Sequence, residues 1–179
     1  MVLDKKTVPY GQHQASLAAT YMRLASLLTR EPRILAEIQD CMLDARGYVQ
    51  RHGDELIEDL VGDLDLDDME AVRWIAFRKI LTDNHVMWEF DWKEGLSEFV
   101  YRMSLIAKPY GLEVDEHWFD ASQDIPMWTT ELNRRWRGTG QYVVQFDTDS
   151  DSYLLSVCDK ASFAELQQLG RKLDLPVRL

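Results

Sequence analysis

The chain has 179 residues, of which 46% are hydrophobic and 28% charged, the balance of a folded globular protein and not of a disordered, collagen-like or coiled-coil one. Acidic residues outnumber basic ones 31 to 20, a formal net charge of −11, which argues against general nucleic-acid binding, where basic side chains neutralise phosphates. Behind Lys5 and Lys6 there is no apolar run of a secretory signal, and no stretch reaches the roughly 18 consecutive apolar residues of a membrane span, so a cytoplasmic chain without membrane contact is expected.

Leu17, Tyr21, Leu24 and Leu28 recur at helical spacing and predict a helix from His13 to Leu28. Pro32 suits the first turn of a second helix. Its stripe is Ile34 or Leu35, Ile38, Met42 and Ala45, and Gly47 is its expected stop. A short third helix is expected over Asp54–Val61. A fourth begins near Asp67, with Glu70 as its capping-box partner. Met69, Val72, Ala76 and Ile80, widened by Trp74, Phe77 and Leu81, give that helix a face too broad for the surface.

After Thr82 the period falls to two. Val86, Trp88, Phe90 and Trp92 predict a strand with one aromatic face. A helix from Glu94 to Lys108 follows, carrying Phe99, Met103 and Ile106 and ended by Pro109 and Gly111. Leu112 to Gln123 is acidic and irregular, with room for a short strand at Leu112–Val114. Asp124 and Pro126 open another helix, striped by Trp128, Leu132 and Trp136. Gly138 and Gly140 then lead into a hairpin. Tyr142, Val144 and Phe146 share one face, and Gln141, Val143 and Gln145 the other. Asp147–Ser152 forms the turn and Tyr153–Val157 the return strand. Asp159 is the expected cap of a last helix striped by Phe163, Leu166, Leu169 and Leu173. Leu175–Leu179 reads as an edge strand, where Pro176 is tolerated. These elements predict an α+β fold, a helical N-terminal part packed with a small, mainly antiparallel sheet and its helices. It reads as one domain over residues 1–179, divisible into a helical part, 1–84, and an α/β part, 85–179.

The sequence holds no GxSxG, P-loop, GxGxxG or HExxH motif. Its four histidines show no HxH or HxxxH spacing, and Cys41 and Cys158 form no CxxC pair. No catalytic residue, metal or cofactor is therefore expected, and both cysteines are read as buried thiols. The strongest anomaly is Gly53–Glu70. It carries Asp54, Glu55, Glu58, Asp59, Asp63, Asp65, Asp67, Asp68 and Glu70 and neither lysine nor arginine. Asp63, Asp65 and Asp67 have the rhythm of a calcium loop, but Asp68 and Trp74 stand where an EF-hand needs glycine and glutamate. Asp147, Asp149 and Asp151 fail the same test at Ser152 and Cys158. Trp118, surrounded by acids, is the tryptophan expected at the surface. Arg134, Arg135 and Arg137 form a basic cluster expected to pair with the acidic run. His117 lies beside Glu116 and Asp120.

The run Tyr142–Leu155, with Phe146–Tyr153 at its centre, resembles a family of small bacterial proteins of unknown function. Asp91-Trp92-Lys93-Glu94 and the closing Leu169-Gly170 step are similar to that family as well. The resemblance covers about residues 85–173. It implies an α/β sandwich and a bacterial origin, and assigns no catalytic residue. For an acidic cytoplasmic protein of this kind, the leading expectation is a protein-binding inhibitor of the immunity type. It would occlude a toxin, such as a basic nuclease, with acidic side chains that steer and select the partner. The candidate contacts are Asp54, Glu55, Glu58, Asp59, Asp63, Asp65, Asp68, Trp118, Asp147, Asp149 and Asp151. The alternatives are a small hydrolase or ligand-binding domain with an acidic cleft, and an accessory subunit of a larger complex.

Overall fold

Residues that alternate between two apolar surfaces organise the chain. The computed structural model describes the backbone of residues 10–58 and 68–179, with side chains from 15–53 and 68–179. Seven helices are described: α1 (Tyr10–Leu28), α2 (Pro32–Leu43), α3 (Ala45–Glu58), α4 (Met69–Asp83), α5 (Leu96–Ala107), α6 (Ile125–Arg135) and α7 (Phe163–Lys172). Four strands, β1 (Met87–Asp91), β2 (Gln141–Phe146), β3 (Ser152–Asp159) and β4 (Val177–Arg178), form one antiparallel sheet in the order β1-β3-β2-β4. The fold is α+β. No described helix is long and apolar enough to cross a membrane.

The sheet has helices on both faces. Met87, Val144, Phe146, Leu154, Cys158 and Val177 face one core, shared with Tyr21 and Leu24 of α1, Ile38 of α2, Phe77 of α4 and Leu166 of α7. Phe90, Val143, Leu155 and Val157 face the other, with Phe99 and Met103 of α5 and Trp128 and Leu132 of α6. Tyr142, Val144 and Phe146 thus share a face opposite Val143, as their alternation predicts. The side of β2 that β4 does not reach is closed by Asn133. Its amide accepts from Val143 N–H at 2.7 Å and donates to Val143 C=O at 3.0 Å, standing in for a neighbouring strand.

Three helical segments end in the same turn. At His85 (φ 54°) the Val86 N–H reaches Leu81 C=O at 2.8 Å and the His85 N–H reaches Thr82 C=O at 2.9 Å. Gly111 (φ 65°) and Asp174 (φ 56°) close α5's extension and α7 with the corresponding long bonds, Leu112 to Ala107 and Leu175 to Gly170. The turns at His85 and Asp174 lead into β1 and β4.

Several boundaries differ from the sequence reading. α2 stops at Leu43 rather than Gly47, because Asp44 ends it and caps α3, accepting from the Gly47 N–H at 3.0 Å. The third helix therefore begins at Ala45, not Asp54. Asp68, not Asp67, caps α4 and accepts from the Glu70 and Ala71 N–H groups. Trp92 falls beyond β1 and is 55% exposed, with Lys93 Nζ 4.7 Å from its ring. Leu112–Val114 forms no strand; it packs on the second core as irregular chain. Asp159 makes no capping bond, because its carboxylate is held by Gln141 and Arg30. Cys41 and Cys158 are buried free thiols, each pushed up to about 12 by burial first of all.

Gly170 sits where α7 meets the final turn. A Cβ there would lie 2.4 Å from Leu175 O and 2.8 Å from Val177 Cγ2, and the carbonyl cannot retreat without breaking the turn. Gly170→Ala should destabilise the chain by about 1–3 kcal/mol in urea unfolding. An unchanged midpoint would contradict this close approach.

Candidate functional site

The candidate site is a cleft at the end of the sheet where β2 begins and β3 finishes. The α1–α2 turn, the α4–β1 turn, the end of α5 and its following 3₁₀ turn (Lys108–Tyr110) meet there. The cleft encloses about 960 Å³, within the usual range for small-molecule sites. Leu28, Ile34, Val86, Ile106 and Pro109 supply apolar wall, and Arg30, Glu31, Arg33, Asn84, His85, Tyr110, Gln141 and Asp159 supply polar groups.

Local chemistry holds these groups in place. Pro32 starts α2, which sets Glu31 and Arg33 on the rim. The Tyr110 hydroxyl lies 3.0 Å from Leu28 C=O and 2.9 Å from Val157 C=O, so one phenol ties the end of α1 to β3. Burial above all pushes that phenol up to about 12. Asp159 accepts from Gln141 Nε2 at 2.9 Å and from Arg30 Nη2 at 3.2 Å. Arg33 donates to the Asn84 side-chain carbonyl, whose own amide donates to Ile80 C=O at 2.7 Å. The His85 ring stacks on Trp88, with centroids 5.7 Å apart and planes 17° apart. The walls thus carry two guanidiniums, two carboxylates and an imidazole.

A covalent mechanism would need a nucleophile within reach of a base. Ser26 instead donates to Arg23 C=O at 2.7 Å, and no hydrogen bond among the described residues joins a lining serine to His85. No group of three or more metal-type ligands occurs among the described residues.

The residues singled out from sequence lie elsewhere. Asp59, Asp63 and Asp65 fall outside the described residues, as do the side chains of Asp54, Glu55 and Glu58. Asp68 is occupied as the α4 cap. Trp118 is half-buried rather than exposed. It packs on the second core with Arg135 5.0 Å from its ring. The acidic loop around it is pinned by two buried indoles, Trp128 donating to Asp120 C=O at 2.9 Å and Trp136 to Glu113 C=O at 3.0 Å. Arg134 and Arg135 hold Glu131 on their own helix, not the acidic run. Their bonds, that to Arg134 foremost, hold the Glu131 carboxyl down at about 2. His117 pairs with Asp115 at 2.8 Å, not with Glu116 or Asp120. That hydrogen bond raises the imidazole above its ordinary value, while the His117 backbone N–H, first, lowers the carboxyl.

The hairpin loop lies at the far end of the sheet from the cleft, since Asp91 pairs with Ser152 there and Gln141 with Asp159 here. Asp147 is bound to Arg178 at 2.8 Å. Thr148, Ser150 and Ser152 link their hydroxyls at 2.8 Å, and Ser152 donates to Glu89. Asp149 (φ 52°) and Asp151 remain exposed on this braced loop.

Among the cleft residues, sequence reasoning marked Asp159 as a cap, Pro109 as a helix stop, Gln141 as a strand position and the apolar stripe. Arg30, Arg33, Asn84, His85 and Tyr110 carried no local signal. A histidine in the left-handed region after a helix is the one feature that a capping argument could have flagged.

Residues 20–179 match a domain of unknown function (DUF6630), and the chain belongs to that family. The family extends well beyond residues 85–173 and takes in most of the helical half. No curated protein and no solved structure matches the chain.

Tyr110→Phe keeps the ring and removes the donor. It should lower stability by about 1–2 kcal/mol, the cost of leaving carbonyl groups short of a partner. It should also speed hydrogen exchange at the Thr29 and Arg30 amides. Wild-type exchange there would show that the hydroxyl does not hold the cleft wall.

Proposed function

We propose that this member of the DUF6630 family is a non-catalytic binding domain that takes a small molecule in the cleft at the end of its sheet. The observation that carries this reading is the convergence of polar groups from five separate chain segments on one cavity of about 960 Å³. Such a site is the default place for a ligand in a fold of this kind. Its walls are braced by Tyr110, by the His85 turn and by the Arg33–Asn84 contact, which favours a preformed pocket with little ordering on binding. The test is an amide-resolved NMR screen of the whole chain against a fragment library. Hits should shift Thr29, His85, Gln141 and Lys160 together. Hits that scatter over other surfaces would defeat the reading.

A second reading is favoured by the hairpin end. Asp149 and Asp151 stand exposed on a loop braced by its own hydroxyls, while several arginines are bound to carboxylates within the chain. The surface charge left over is acidic. It suits a basic protein partner, and the specific form proposed is a cytoplasmic bacterial immunity protein that occludes a toxin. Co-expression with the neighbouring gene of the source genome tests this. Growth arrest by that gene product, relieved by this chain and restored by Asp149→Lys with Asp151→Lys, is the expected result. Absence of rescue, or rescue indifferent to those changes, would remove the second reading.

A further inference from the structure

Resting on the cleft reading, we infer that the ligand is a small organic oxyanion, a phosphate or carboxylate head on an apolar body, with the head taken by Arg30 and Arg33. In a chain of net charge −11, two guanidiniums on the rim of one cavity are already out of character. Their bonding sets them apart further. Other exposed arginines of this chain are held by short carboxylate contacts. Arg23 grips Glu165 through two nitrogens at 2.6 and 2.7 Å, and Arg51 meets Asp40 at 2.6 Å. Arg30 instead reaches Asp159 through a single nitrogen at 3.2 Å, and its side chain is 90% exposed. Arg33 comes no nearer than 3.9 Å to Glu37, and its side chain is 69% exposed. Its close partner is the neutral Asn84 carbonyl, which aims the guanidinium without cancelling its charge. Each guanidinium has five donors in a planar fork suited to an oxyanion, and these contacts occupy only part of them.

The remaining walls refine the class. Leu28, Ile34, Val86 and Ile106 line the cavity with apolar side chains, of which Leu28, Ile34 and Ile106 are almost wholly buried. Glu31 and Asp159 also line the cavity and would repel a further anionic group elsewhere on the ligand. They select a compact ligand with one anionic head over a polyanion. Lys160, which with Arg30 borders the adjoining concavity past Asp159, adds positive charge on that side.

Calorimetry on the full chain with phenyl phosphate, benzoate and benzyl alcohol tests this. At least one anion should bind about tenfold more tightly than benzyl alcohol. That binding should weaken with added salt and fall about tenfold in Arg30→Gln with Arg33→Gln. Arg171→Gln with Lys172→Gln, in the last turn of α7 and outside the cleft lining, should leave it unchanged. Thermal melting identifies any loss through misfolding, and the salt series on the wild-type chain needs no variant. The preferred anion tells a phosphate head from a carboxylate. Benzyl alcohol binding as well as the anions, or anion binding indifferent to the arginine changes, would overturn this inference and leave the cleft reading standing. Failure of all three probes to bind would overturn both.

Discussion

β3 has no solvent face, and the rest of the molecule is arranged to satisfy it. Leu154 and Cys158 enter one core, and Leu155 and Val157 the other. Between them Ser156 is fully buried, with its hydroxyl donating to Val86 C=O at 2.7 Å. A strand buried on both faces needs two covers. α5 and α6 supply one, and α1, α2, α4 and α7 the other. The helices of the first half are therefore a wall of the sheet's own core, which fits a family match that begins at residue 20.

That constraint also creates the cleft. Helices covering a twisted sheet cannot all stop in register with its strands. α1 and α4 end near the finish of β3, and their turns leave a hollow between them. The Ser156 bond to Val86 and the Tyr110 bonds to Leu28 and Val157 keep the hollow from collapsing. The opposite end of the sheet differs in chemistry. There the hairpin closes on itself through hydroxyls and carboxylates, with Arg178 the cation bound to Asp147. One end offers guanidiniums around a cavity, the other carboxylates on a rigid loop.

Charge is distributed by tertiary pairing more than by local sequence. Arg78 meets Glu89 across the α4–β1 turn at 2.8 Å, and Arg102 meets Glu98 and Glu94 beside the β1 edge. Half-buried pairs of this kind that keep contact with solvent contribute modestly to stability, on the order of 1 kcal/mol each. Their greater effect is to decide which charges remain available to another molecule. Arg134 and Arg135 illustrate this. They read in sequence as partners of the acidic run, yet Glu131 one turn earlier occupies both.

The sequence by itself determined the elements and their buried faces. Spacing at three and four residues, alternation at two, and Asp124, Pro126, Pro109 and Gly111 as signals of start and stop are consequences of helix and strand geometry acting over a few neighbours. Even the errors were local. Asp44 caps α3 nine residues before the expected start, because one carboxylate near a helix end outweighed a glycine. The site was decided by the tertiary structure alone. Arg30, Asn84, Tyr110, Gln141 and Asp159 come from segments far apart in the chain, and what each does depends on partners that no periodicity encodes. Trp118 shows the same limit, since its acidic neighbours in sequence are replaced in space by Arg135 and an apolar core. Apolar patterning reports which side of an element is buried. It cannot report which polar groups will meet once those sides are packed together.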